Sequence, residues 1–219
     1  MKWISLFNFT INLIILGTCS LPVFAQVQSE RYPTDAEIQR LIVEFRRDIP
    51  RFRASPDLGG DYLKHPRQKQ LFDQVKLFER AWSQVDPAIA PFLGSWNAGA
   101  PDWSIYPSTT KGRVCVIFNQ PSRGGTPSNS YFSLGSVSNG QLRIKGESFT
   151  GESFRIFIRE SNYLGGMSVI NNRPGISPYV WRTPLTNLIQ PSITDPQKSS
   201  RMLQQFNEAG CTTSLPNRR

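Results

Sequence analysis

The stretch YFSLGSVSNGQLRIKGESFTGESFRIFIR, residues 131–159, decides how this chain is built. At its centre is Asn139-Gly140, flanked by alternating apolar residues. Both residues of this dipeptide tolerate the positive φ that a two-residue type I′ turn requires. The turn makes one hairpin of the flanking strands, with Val137 opposite Leu142 and Gly135 opposite Ile144. Ser136 then faces Arg143 on the other side. Next, GESFT (146–150) is followed at once by GESFR (151–155). One duplicated pentapeptide is not a repeat architecture, so it reads as a turn and a further strand. Alternation predicts Leu142, Ile144, Phe154, Ile156 and Ile158 on the inner face. Arg143, Lys145, Arg155 and Arg159 then form a basic outer face with Phe157 within it.

The same pattern runs in both directions. GSWN, WSIYP, RVCVIFN, MSVI and PYVWR are short strand-like runs separated by Gly, Pro, Ser and Asn. Such spacing predicts an antiparallel sandwich or barrel. The Gly/Ser/Pro stretch 120–130 reads as a mobile loop, either a plain connection or a cover for a barrel mouth. Two amphipathic helices come first. Thr34 and Glu37 form a capping box, and Ile38, Leu41, Ile42 and Phe45 follow on one stripe, with Pro50 as the stop. Residues 51–65 read as a loop. Pro66 opens the second helix, whose stripe is Leu71, Val75, Phe78, Trp82 and Val85, and Pro87 closes it near Asp86. The two helices are expected to pack as a pair. Thr194-Asp195-Pro196 starts a third helix with Met202, Leu203 and Phe206 on its apolar face, Gly210 ends it, and the tail 212–219 is expected to be loose. The fold class is therefore α+β: a helical region over 26–90, then an antiparallel β-barrel or strongly curved sheet with a C-terminal helix over 91–219.

Residues 1–25 have the three parts of an export signal: Lys2, an apolar core centred on INLIILG, and Val23-Phe24-Ala25 as the cleavage site. The apolar core is shorter than the roughly 20 residues a bilayer span needs. The rival readings are an uncleaved anchor and a lipid on Cys19, where Thr18 holds the place a small residue normally takes. The expected setting is exported: periplasm, thylakoid lumen or extracellular. Cleavage after Ala25 leaves Cys115 and Cys211, an even count that points to a disulfide in an oxidising compartment. Two inert buried thiols are the alternative. No zinc or iron–sulfur site is expected from two cysteines and one histidine. Charge is uneven. Residues 26–90 carry 11 basic and 10 acidic side chains, whereas 91–219 carry 13 and 6. The excess in the β region favours an anionic partner by electrostatic steering. Nucleic acid is not expected as that partner in an exported protein.

His65 is the chain's one histidine, at the start of the second helix with no nucleophile motif near it. Asp102, Glu147, Glu152 and Glu160 are the carboxylates a glycosidase-like pair would draw on. Turn and surface positions explain them equally well, so catalysis is not the expected function. No phosphate loop, dinucleotide fingerprint or EF-hand occurs, and no cofactor is expected.

PFLGSW, residues 91–96, resembles the start of a lipocalin or related calycin barrel. In that family a short helical turn leads into Gly-x-Trp on the first strand and the Trp plugs one barrel end; Gly94 and Trp96 hold those places here. The resemblance implies a ligand-binding barrel, with Trp96, Ile105, Phe118 and Phe154 as the expected lining. WSIYPSTTKGRVCVIF (103–118) and GISPYVW (175–181), about a tenth of the chain, resemble stretches of exported cyanobacterial proteins without an assigned function. The leading expectation is an exported, non-catalytic protein that binds a small apolar or amphipathic ligand. The alternative is an envelope protein that meets an anionic surface or partner through Arg143, Lys145, Arg155 and Arg159. A hydrolase ranks third.

Overall fold

The computed structural model describes residues 31–55, 65–98, 102–121, 128–148, 151–185 and 195–216. The export signal, Cys19 and most of the 120–130 loop lie outside the described residues. Nine antiparallel strands form one sheet: β1 (Gly94–Asn97), β2 (Asp102–Pro107), β3 (Arg113–Gln120), β4 (Asn129–Ser138), β5 (Gln141–Ser148), β6 (Gly151–Glu160), β7 (Tyr163–Ile170), β8 (Arg173–Tyr179) and β9 (Trp181–Thr183). Strands β1 to β8 run as a meander, each paired with the next, and β9 returns to pair with β1. Only Val180 separates β8 from β9. One bent strand thus pairs with β7 through its first part and with β1 through its last, which nearly closes the sheet into a barrel. Near-closure removes most of the exposed strand edge.

The Asn139-Gly140 turn is present, with φ of 50° and 70°, and gives the expected pairs Val137↔Leu142 and Gly135↔Ile144. Val114, Val116, Phe118, Leu142, Ile144, Phe157 and Leu164 pack in one cluster inside the barrel.

Helix α1 (Asp35–Ala54) starts at the predicted capping box but does not stop at Pro50. It runs one turn further because its apolar stripe continues through Ile49 and Phe52, which bury with Ile156, Ile158, Tyr163 and Met167 on the outside of the barrel. Burial of these side chains outweighs the backbone hydrogen bond that proline cannot donate. Helix α2 (Pro66–Ser83) opens on Pro66. Its Trp82 and Phe78 join the interior cluster together with a 3-10 turn at Ala90–Phe92. The two helices therefore bury their stripes in different clusters instead of against each other. Helix α3 (Pro196–Glu208) is capped by the Asp195 carboxylate and covers the far wall, where Met202 and Phe206 meet Tyr106, Cys115 and Ile117. The Cys115–Cys211 disulfide ties the end of α3 to β3. The segment after it is held too, since Thr212 N–H donates to the Pro107 carbonyl and Trp82 Nε1 to that of Ser214.

Candidate functional site

One end of the barrel is closed by a plug built from Gly-x-Trp. Trp96 is fully buried, and its indole N–H donates to the Phe92 carbonyl at 2.7 Å, fixing the strand to the 3-10 turn before it. Arg182 of β9 is 1% exposed. Its Nε donates to the Leu93 carbonyl at 2.8 Å, Nη2 donates to the same oxygen, and Nη1 donates to Glu79 of α2. Its guanidinium lies over the Trp96 ring, 4.7 Å from the centre. Gly94 makes this fit possible. Its φ is +125°, and a Cβ there would come within 3.1 Å of Arg182 Nε. Burial works to raise the Glu79 carboxyl, but the Arg182 charge and hydrogen bond, with Lys76 and Arg159, outweigh it and hold the pKa below its ordinary value.

Above the plug the inner wall is aromatic. Trp103 packs on Phe118 (4.5 Å between centres) and meets Phe157 edge-on at 5.0 Å, while Phe118 stacks on Tyr131 at 4.9 Å. Two arginines stand on the same wall. Arg155 lies over Trp103, 5.5 Å from its centre, and Arg159 over Trp96 at 4.6 Å. The β5–β6 register explains this, since Ile144 faces Arg155 and Leu142 faces Phe157, so those residues share the inward face.

The predicted basic face therefore divides. Arg143 and Lys145 are outside, by Tyr32 and Phe154 respectively, whereas Arg155 and Arg159 are inside. Phe154, expected inside, packs edge-to-face on Tyr32 at 5.1 Å on the outer face, while Trp96, Ile105 and Phe118 do share the interior cluster. The physical reason is α1. It covers the outside of β6 and needs an apolar floor, so Ile156 and Ile158 face outward and the alternating positions hold the arginines. A strand buried on both faces cannot be oriented by hydrophobic alternation alone.

The interior holds polar hydrogens with no acceptor. Arg155 Nε and Arg159 Nη1 are buried and lack a hydrogen bond. Burial, with the Arg182 charge beside it, lowers the Arg159 pKa to about 9, with Glu79 working in the other direction. Among the described residues, three guanidinium groups of the inner wall and plug (Arg155, Arg159 and Arg182) stand against one carboxylate, Glu79. Uncompensated buried charge is costly, and an anion placed among these donors would relieve that cost. Arg173, Gly175 and Ser177 share the inward parity of Tyr179 yet are exposed, and a Cβ on Gly175 would meet nothing within 4 Å.

Against protein-family models, curated proteins and solved structures, this chain gives no match. The site is therefore read from its own residues.

Of the hydrolase candidates, Glu147 and Glu152 are directly opposite in the β5–β6 register, while Asp102 and Glu160 are elsewhere on the sheet. Glu152 pairs with Lys145 and Glu160 with Arg46 of α1. Asp102 is at the far end of β2 opposite Asn97 and Asn119, where burial raises its pKa. The Glu147 side chain lies outside the described residues. His65 is the exposed residue preceding α2, and it makes no side-chain cap. No group of three or more metal-ligating side chains occurs among the described residues, nor is any described helix long and apolar enough to cross a membrane.

Sequence reasoning missed Arg182, Glu79 and the inward arginines. A signal for the last was present. Any even-length connection between β5 and β6 pairs even-numbered with odd-numbered residues, and so puts Arg155, Phe157 and Arg159 on the side of Leu142 and Ile144.

Proposed function

We propose that this is an exported, non-catalytic binding protein whose barrel interior takes a small amphipathic anion. The apolar body lies against Phe118 and Tyr131, the rings of that wall that keep some exposure, and the anionic head accepts hydrogen bonds from Arg155 and Arg159. The observation that carries this reading is the set of buried donors without acceptors on that wall. The exposed inward face of β8 supports entry from the end opposite the plug. The 3-10 turn running into Gly94-x-Trp96 supports the calycin likeness. The disulfide supports an oxidising compartment.

The test is a fluorescence titration with two probes that share one aromatic frame: anionic 8-anilinonaphthalene-1-sulfonate and neutral N-phenyl-1-naphthylamine. The anionic probe should bind more tightly. Arg155→Gln and Arg159→Gln should each weaken it by roughly tenfold or more, since hydrogen bonds to charged groups contribute about 1.5–3 kcal/mol, and should leave the neutral probe unchanged. Equal binding of both probes, or indifference to both substitutions, refutes the assignment. Native mass spectrometry of protein purified from its own cell envelope would then identify the natural ligand by mass.

A further inference from the structure

The inner wall carries unpartnered acceptors as well as unpartnered donors. Tyr131 of β4 packs inside the barrel, so Asn129 and Ser133, two residues to either side on the same strand, face inward with it. Each is 3% exposed, and Asn129 Oδ1 and Ser133 Oγ have no hydrogen-bond partner. Both stand near Arg155. A Cβ on Gly146 of β5 would come within 2.4 Å of Ser133 Oγ and 2.5 Å of the Tyr131 ring, so these two side chains lie across the inner face of β5. On its other side Gly146 pairs with Ser153 of β6, two residues before Arg155. The Tyr131 hydroxyl is within hydrogen-bonding reach of both Ser153 and Arg155. Ser133, Tyr131, Ser153 and Arg155 therefore form one patch from β4 to β6, and Asn129 follows Tyr131 about 7 Å along the strand.

The patch borders free space. Arg155 faces inward yet keeps partial exposure. It lies one position beyond the last β6–β7 pair, Ile156↔Met167, and so comes level with Ser168. Ser168 in turn pairs with Gly175, where a Cβ would meet nothing within 4 Å. The unpartnered atoms bordering this space define the head group it can take. Arg155 Nε is a donor and calls for an acceptor, whereas Asn129 Oδ1 accepts only and calls for a donor. Ser133 Oγ can serve either way. An ionised carboxylate or sulfonate offers acceptors alone, and would leave Asn129 Oδ1 buried and unsatisfied. The missing donor must also be uncharged. Among the described residues, Arg155, Arg159 and Arg182 already outnumber the one carboxylate near them, Glu79, so an ammonium group would add like charge. A hydroxyl meets both conditions.

We propose that the ligand of the interior site is an amphipathic hydroxy acid, an inference that rests on the reading of the barrel interior as an anion site. The acid group accepts from Arg155 and from Ser133 Oγ. A hydroxyl a few bonds away from it donates to Asn129 Oδ1.

The test is competition against bound 8-anilinonaphthalene-1-sulfonate on the full chain, with dodecanoate and each enantiomer of 3-hydroxydodecanoate as probes below their micelle-forming concentrations. One enantiomer of the hydroxy acid should bind about tenfold or more tightly than dodecanoate, because a site built to hydrogen-bond a hydroxyl disfavours the analogue that lacks it. Asn129→Leu should bring the hydroxy acid down to the affinity of dodecanoate. Should that variant fail to fold, Asn129→Ala removes the same acceptor without adding bulk and carries the same expectation. Arg155→Gln should weaken both acids alike. Dodecanoate binding as tightly as both enantiomers, or a preference that survives the Asn129 substitution, overturns the hydroxy-acid assignment; a loss of both acids on Arg155→Gln then still leaves the anion site standing. If neither acid displaces the sulfonate probe, or Arg155→Gln changes nothing, the interior anion site itself fails and this inference falls with it.

Discussion

Replacing Arg182 with methionine tests whether the plug is held by one buried guanidinium. Methionine keeps much of the aliphatic length, so the main loss is polar. The wild-type side chain makes two hydrogen bonds to the Leu93 carbonyl and one to Glu79, and lies over Trp96. Without it the Leu93 carbonyl loses both donors, which costs about 1–3 kcal/mol. Breaking a buried ion pair from one side costs about 3–5 kcal/mol in general. Here the acid is 22% exposed and keeps Lys76 at 3.2 Å, so the lower half of that range applies. Some stabilisation returns because Arg182 no longer pays desolvation. The net expectation is about 3–5 kcal/mol, or a fall in melting temperature of roughly 6–20 °C for a chain of this size. The assay is guanidinium unfolding with the disulfide intact, run as a double-mutant cycle with Glu79→Gln. Because the ionised Glu79 costs more once Arg182 is gone, the double variant should be less destabilised than the two single variants added together, by about 1–2 kcal/mol. A loss below about 1 kcal/mol for Arg182→Met, or strict additivity in the cycle, refutes the reasoning.

Three further outcomes follow from the same coordinates. Removing the disulfide with Cys115→Ala/Cys211→Ser, a bond that spans 96 residues, should cost about 4–5 kcal/mol on the chain-entropy account, and hydrogen exchange should show α3 opening before the barrel does. Gly135→Ala places a methyl within 2.6–3.0 Å of Leu142, Val114 and Ile144; overpacking should destabilise by about 1–3 kcal/mol, and a variant as stable as the parent in urea would contradict the inner-face packing. The third concerns pH. Hydrogen bonding to Arg31, then to the Thr34 backbone, lowers the Glu37 pKa from 4.5 to about 2. A carboxyl depressed on folding contributes stability above its unfolded pKa and loses it as pH falls through the folded one. The start of α1 should therefore loosen between pH 4.5 and about 2, followed by amide exchange at residues 34–38; Glu37→Gln should abolish that pH dependence.

Local signals gave much of this molecule directly from its residues. Asn139-Gly140 set the hairpin and its register because the turn's positive φ admits few residues. Thr34 with Glu37, and Asp195 with Pro196, set two helix starts because a cap is a contact between near neighbours. Two cysteines marked one bond. What the residues did not disclose depended on neighbours distant in the chain. Pro50 reads as a stop, yet Phe52 finds a partner in Tyr163 and the helix continues over it. The alternation in β6 is clear, but which side is the inside depends on α1 lying over Ile156 and Ile158. Arg155 and Arg159 therefore moved from an outer basic patch to the inner wall, and with them the proposed ligand changed from an apolar or amphipathic molecule to an amphipathic anion. Arg182 and Glu79 are 103 positions apart, and no local pattern marks either as half of the plug. Periodicity and turn chemistry act over a few residues, so the sequence alone determines elements and registers. Which face of an element is buried against what, and where a buried charge finds or lacks its partner, is decided only when the layers pack.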